Sequence, residues 1–83
     1  MTKVTLYTKP GCHLCDLVKK IIASVKRRRK FEMVERNILD NAEDFERYQY
    51  DIPVITVDDK ELARHRLTAA ELEGALDRAD AVG

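Results

Sequence analysis

Eighty-three residues make one domain, and a chain this short buries only ~60% of its unfolded surface, leaving little room for a second catalytic domain or a cofactor-sized cavity. Fifteen basic and fifteen acidic side chains cancel to a net charge of zero, which argues against a dedicated nucleic-acid binder. Hydrophobic residues, 45% of the chain and regularly spaced, exclude disorder, and no run approaches the ~18–20 apolar residues of a membrane span.

Met1 to Val4 leads into a strand pattern with no signal-peptide hydrophobic region, so a cytoplasmic address is expected. Lys3 to Thr8 alternates, with Val4 and Leu6 on one side and Thr5 and Tyr7 on the other, the period of a strand. Pro10-Gly11 breaks it. Leu14, Leu17, Val18, Ile21, Ile22 and Val25 then predict a long amphipathic helix with one apolar stripe. It ends in Lys26-Arg27-Arg28-Arg29-Lys30, cations where the helix dipole favours them. This run reads as a solvated helix end paired with Glu32 and Glu35.

Phe31 to Ile38 is predicted as a second strand. Asp40 or Asn41 can cap a short helix whose apolar contacts are Phe45 and Tyr48, with Tyr50 at its rim. Ile52 to Val57 is β-branched and strand-like after its proline, and Asp58-Asp59 turns it into a short strand over Lys60 to Ala63. Thr68 and Glu71 form a capping box opening a last helix with Leu72, Ala75, Leu76 and Ala79 on one face. The order is β-α-β-α-β-β-α. A right-handed crossover makes the first two strands parallel, the last two form an antiparallel hairpin, and helices cover both faces of a four-stranded mixed α/β sheet.

The two cysteines stand as Cys12-His13-Leu14-Cys15, where strand becomes helix. As a staple, a ring of four residues contributes only ~2 kcal/mol, and structural disulfides are rare in a reducing cytosol. Thiol–disulfide exchange, by contrast, needs one thiolate to attack and a second thiol to resolve the mixed disulfide. Unpaired N–H groups at a helix N-terminus favour the thiolate, so Cys12, exposed at the helix start, attacks. Cys15, one turn in and more buried, resolves. A Cys-x-x-Cys at such a junction is a redox motif.

Tyr7-Thr8-Lys9-Pro10-Gly11-Cys12 with Cys15 resembles the active-site segment of glutaredoxins. Ile52-Pro53-Val54 resembles their loop before the third strand, and Gly11 to Asp16 is similar to a short bacterial glutaredoxin-like group. The resemblance implies a thioredoxin-like fold over the whole of residues 1–83, a single domain. It also implies Cys12 as nucleophile, Cys15 as resolving thiol and Pro53 as a cis proline facing them. Ile52 would offer its backbone to a substrate strand, and Lys9 would help hold a glutathione carboxylate.

Three departures stand out. Arg64-His65-Arg66-Leu67-Thr68 replaces the Gly-Gly and acidic cap that bind the γ-glutamyl end of glutathione, and Asp51 sets a negative charge beside Ile52-Pro53. Leu6 stands where thioredoxin-type proteins keep a buried carboxylate. The expected protein is therefore a cytoplasmic monomeric oxidoreductase without a strong dependence on glutathione. Its substrate is a disulfide-containing protein or small molecule, its electrons come from a reductase or glutathione, and it takes no cofactor, nucleic acid or membrane partner.

The rival classes are a zinc protein drawn from Cys12, Cys15, His13 and His65, an iron–sulfur carrier using Cys12, and a non-catalytic module holding a peptide at Pro53. His13 either supports the Cys12 thiolate or is an idle surface residue. Asp16 is read as stabilising the first helical turn, and Arg64 to Arg66 as a solvated loop rather than a site for an acidic partner.

Overall fold

The computed structural model describes residues 1–82. It runs β1 (Lys3–Thr8), α1 (His13–Lys26), β2 (Glu32–Asn37), a single 3₁₀ turn (Ile38–Asp40), α2 (Ala42–Tyr48), β3 (Val54–Val57), β4 (Lys60–Arg64) and α3 (Ala69–Val82). The strands lie in the order β2-β1-β3-β4. β1 is parallel to β2 and antiparallel to β3, and β3 is antiparallel to β4. This is the expected four-stranded mixed sheet, with β2 and β3 each two residues shorter than expected and β4 one residue longer.

The period of two along β1 decides what each face buries. Val4 and Leu6 turn to one side, with Ile55 and Val57 of β3, and pack against Val18, Ile22 and Val25 of α1 and Leu72, Ala75 and Leu76 of α3. Tyr7 and Val54 turn to the other and meet Ile38 and Tyr48. Because β1 is central and covered on both sides, its polar Thr5 and Thr8 are buried too.

Several local signals act as read. Asp58 and Asp59 take φ of 49° and 69°, the left-handed pair that a two-residue hairpin turn needs. The Thr68 hydroxyl accepts the Glu71 N–H at 3.1 Å while the Glu71 carboxylate accepts the Thr68 N–H at 3.0 Å, completing the capping box. Asn41, not Asp40, caps α2 through its side-chain oxygen.

Other expectations are corrected. Leu14 and Leu17 are 47% and 44% exposed; the buried stripe of α1 is Cys15, Val18, Ile22 and Val25. Consecutive residues stand ~100° apart around a helix, so the apolar run spans two adjacent faces and only one of them meets the sheet. Phe45 is likewise exposed while Tyr48 is buried, and Tyr50, at 84% exposure, is no rim residue. The basic run does not turn to Glu32 and Glu35. Arg28 pairs with Glu73 and Arg29 with Asp77 and Asp80, since α1 and α3 share a sheet face. Glu35 pairs with Lys19 instead. No helix among the described residues is long and apolar enough to cross a membrane.

Candidate active site

The site forms where β1 ends. Gly11 takes φ +79°, a turn that costs glycine nothing and other residues energy. The chain then enters α1 with Cys12 as its N-cap, in extended conformation (φ −86°, ψ 105°). Its carbonyl accepts the Asp16 N–H at 3.3 Å, and its Sγ accepts the Cys15 N–H at 3.2 Å. A sulfur thus occupies the place usually taken by a serine or aspartate oxygen. Any negative charge on it meets an oriented N–H and the positive end of a fourteen-residue helix.

Cys12 and Cys15 are joined as a disulfide, with Cα atoms 5.2 Å apart. Cys15 is 1% exposed and belongs to the buried stripe of α1. Cys12 is intermediate in burial rather than open to solvent, because its sulfur is turned back over the first helical turn. His13, Leu14 and Asp16 are exposed around the pair. Leu6 is fully buried, so an aliphatic side chain fills the position six residues before Cys12.

Strand pairing brings a second segment to the same end of the sheet. Tyr7 of β1 is paired with Val54, and Val54 with Arg64 of β4. Pro53 therefore borders the end of β1 from which Cys12 follows. The Ile52–Pro53 bond is cis, Pro53 is buried, and Ile52 packs partly buried against the Ile38, Tyr48 and Val54 cluster. Lys9 lies on the other flank. It is exposed and lines a polar cleft of about 270 Å³ with Thr8, Asp16, Lys19, Glu35 and Asn37, on the β2 side of the cysteines.

The Asp51 charge beside Ile52-Pro53 has partners in the fold. The carboxylate is ion-paired with Arg64 Nη1 at 2.8 Å and has His65 Nε2 at 3.8 Å. Arg64 also donates to both Glu61 oxygens, at 2.7 and 2.8 Å, and these bonds hold the Glu61 carboxyl below the usual range. His65 takes φ +72° and donates its N–H to the Pro53 carbonyl at 2.8 Å. Nothing in the sequence marks this linkage, because neither a motif nor a glycine stands at the left-handed position. On the same side as Ile52, burial raises the Tyr7 hydroxyl pKa, and the Tyr7 ring packs on Tyr48 at 4.5 Å. Among the described residues no three His, Cys, Asp or Glu side chains are grouped to hold a metal ion, so His13 and His65 are not brought together with the cysteines.

Comparison with known proteins agrees with this geometry. A model of the glutaredoxin-like domain (DUF836) matches residues 3–77. A glutaredoxin-like protein from Dictyostelium discoideum, described as a YDR286C homolog, is 28% identical over 75 residues, covering 83% of this chain and 69% of the relative. The X-ray structure of XcR50 from X. campestris superimposes with a TM-score of 0.69 at 31% identity, covering 90% of this chain and 96% of that one. Chloroplastic thioredoxin z has a TM-score of 0.77 over 98% of this chain and 80% of its own, and at 15% identity it speaks for the fold alone. That fold is thioredoxin-like.

Proposed function

The chain belongs to the glutaredoxin-like domain family, and from that premise we propose that it is a thiol–disulfide oxidoreductase with Cys12 attacking and Cys15 resolving. One observation carries the reading: the two sulfurs are bonded across the first turn of α1, with Cys12 Sγ at the N-cap accepting the Cys15 N–H.

In the reduced protein the Cys12 thiolate attacks one sulfur of a substrate disulfide. A new S–S bond forms to Cys12, the substrate bond breaks, and the other substrate sulfur leaves as a thiolate. Cys15 then gives up its proton, which ends on the departing substrate thiolate, and its sulfur attacks Cys12 Sγ. The second substrate sulfur is released as a thiolate, which takes a proton from water, and the protein is left with the Cys12–Cys15 disulfide, two electrons poorer. A dithiol donor restores it by the same exchange in reverse. Ile52 and Pro53 are assigned to the strand that receives substrate backbone, because their segment flanks Cys12 and proline leaves its own nitrogen without a donor. Lys9 is assigned to a substrate carboxylate on the opposite flank. Glutathione is expected to be a poor electron source.

The test is trapping. Cys15→Ser, exposed to a disulfide-bonded polypeptide, should accumulate a mixed disulfide at Cys12 that dithiothreitol releases. Cys12→Ser should trap nothing and turn over nothing. Equal trapping by both variants, or absence of wild-type turnover with dithiothreitol as donor, overturns the reading.

A further inference from the structure

We infer that the Asp51–Arg64 ion pair is a positioning device for the substrate-binding segment at Pro53, an inference that rests on the oxidoreductase reading above. The segment from Asp51 to Val54 is tied to the end of β4 at three successive points. Val54 pairs with Arg64 in the sheet. The His65 N–H donates to the Pro53 carbonyl at 2.8 Å. Arg64 Nη1 holds the Asp51 carboxylate at 2.8 Å.

The first two ties fix the segment from one side; its beginning is held by the Asp51 N–H, which donates to the Tyr48 carbonyl at 2.9 Å, and the ion pair alone joins that beginning to β4. Arg64 is itself aimed by Glu61, which takes Nε and Nη2 in a two-bond fork. That fork leaves Nη1 free of Glu61 and 2.8 Å from the Asp51 carboxylate, and a planar guanidinium is the side chain suited to bridging two carboxylates. A register shift between Ile55 and Thr56 lies within the same hairpin and sets Arg64 opposite Val54. Asp51 and Arg64 touch neither cysteine; they act through the backbone between them and Cys12.

The device matters only to a substrate long enough to lie along Pro53. Asp51→Asn keeps the side-chain volume and removes the charge. With dithiothreitol as donor, this variant should raise KM for a disulfide-bonded polypeptide such as insulin roughly two- to fivefold, the range an exposed ion pair supports. Its kcat should be unchanged, as should its rate on 2-hydroxyethyl disulfide, which is too short to use the segment. Its His65 amide, followed by NMR hydrogen exchange, should lose protection by a similar factor. Asp51→Glu should recover part of both effects.

A polypeptide KM equal to wild type in Asp51→Asn, or an equal loss on both disulfides, overturns the inference. So does unchanged exchange at His65. A wild-type protein that turns over neither disulfide overturns the oxidoreductase reading and the substrate half of this inference with it, while His65 exchange still decides whether the pair holds the segment.

Discussion

Reducing the disulfide and labelling with a limiting amount of iodoacetamide at pH 6–7 should modify Cys12 well before Cys15. Two independent features set the magnitude. The Cys15 N–H lies 3.2 Å from Cys12 Sγ, and a hydrogen bond to a charged acceptor contributes ~1.5–3 kcal/mol. Sulfur is a weaker acceptor than oxygen, so the lower end applies, and at ~1.4 kcal/mol per decade this favours the Cys12 thiolate by roughly tenfold. Cys15 receives no such donor at its sulfur among the described residues and is 1% exposed, so it reacts only when the first turn of α1 opens. Together these predict at least about a tenfold difference in rate. Mass mapping after partial labelling reads it directly, and Cys12→Ser isolates the slow site. Equal rates, or faster labelling of Cys15, would refute the assignment of roles.

Other outcomes follow from the same structure. Ile22→Ala removes a fully buried side chain between α1 and the sheet and should cost ~2–5 kcal/mol, lowering Tm by at least roughly 8 °C in calorimetry. Gly11→Ala meets no atom within 4 Å, so its cost is the backbone's alone at φ +79°, about 1–2 kcal/mol by denaturant titration. Because Arg64 depresses the Glu61 carboxyl, the pair's contribution is present above the ordinary glutamate value and lost as pH falls through the folded one. Glu61→Gln should therefore flatten the acid limb of the stability curve slightly, the groups being exposed. Turnover driven by glutathione and its reductase should fall roughly ten- to a hundredfold below that of an ordinary glutaredoxin, one charge-assisted end of the tripeptide site being absent; equal rates would show that the loss is made good elsewhere.

What the sequence discloses is what acts locally. The alternation of Lys3 to Thr8, the Asp58-Asp59 turn, the Thr68 and Glu71 box and the Cys12–Cys15 spacing each specify a conformation within a few residues, and each appears in place. Leu14 and Leu17 mislead because periodicity identifies an apolar arc without saying which part of it will find a partner. They stay exposed on the first two turns of α1 beside the cysteines. Arg28 and Arg29 turn to α3 because tertiary packing, not proximity along the chain, decides which carboxylates are near. The link between Asp51 and Arg64 is hidden for the same reason, since it exists only once the hairpin lays β4 against β3.

The charges near Pro53 show why counting residue types there misjudges the electrostatics. Read as a string, Arg64-His65-Arg66 offers cations to an anionic ligand and Asp51 repels one. In the folded protein Arg64 is engaged by both Glu61 and Asp51, so it has no charge left to offer, and the two carboxylates outnumber the one guanidinium and leave a net negative charge beside Pro53. An ion pair presents to a third charge only the difference between its members, and solvent screens even that within ~8–10 Å. Arg66 makes no ion pair among the described residues, and Lys9 stands on the other flank of Cys12. On the proposed reading, recognition at the Pro53 segment therefore rests chiefly on backbone hydrogen bonds. Such contacts suit an extended polypeptide better than a small polyanion, whose carboxylates need a cation at each end.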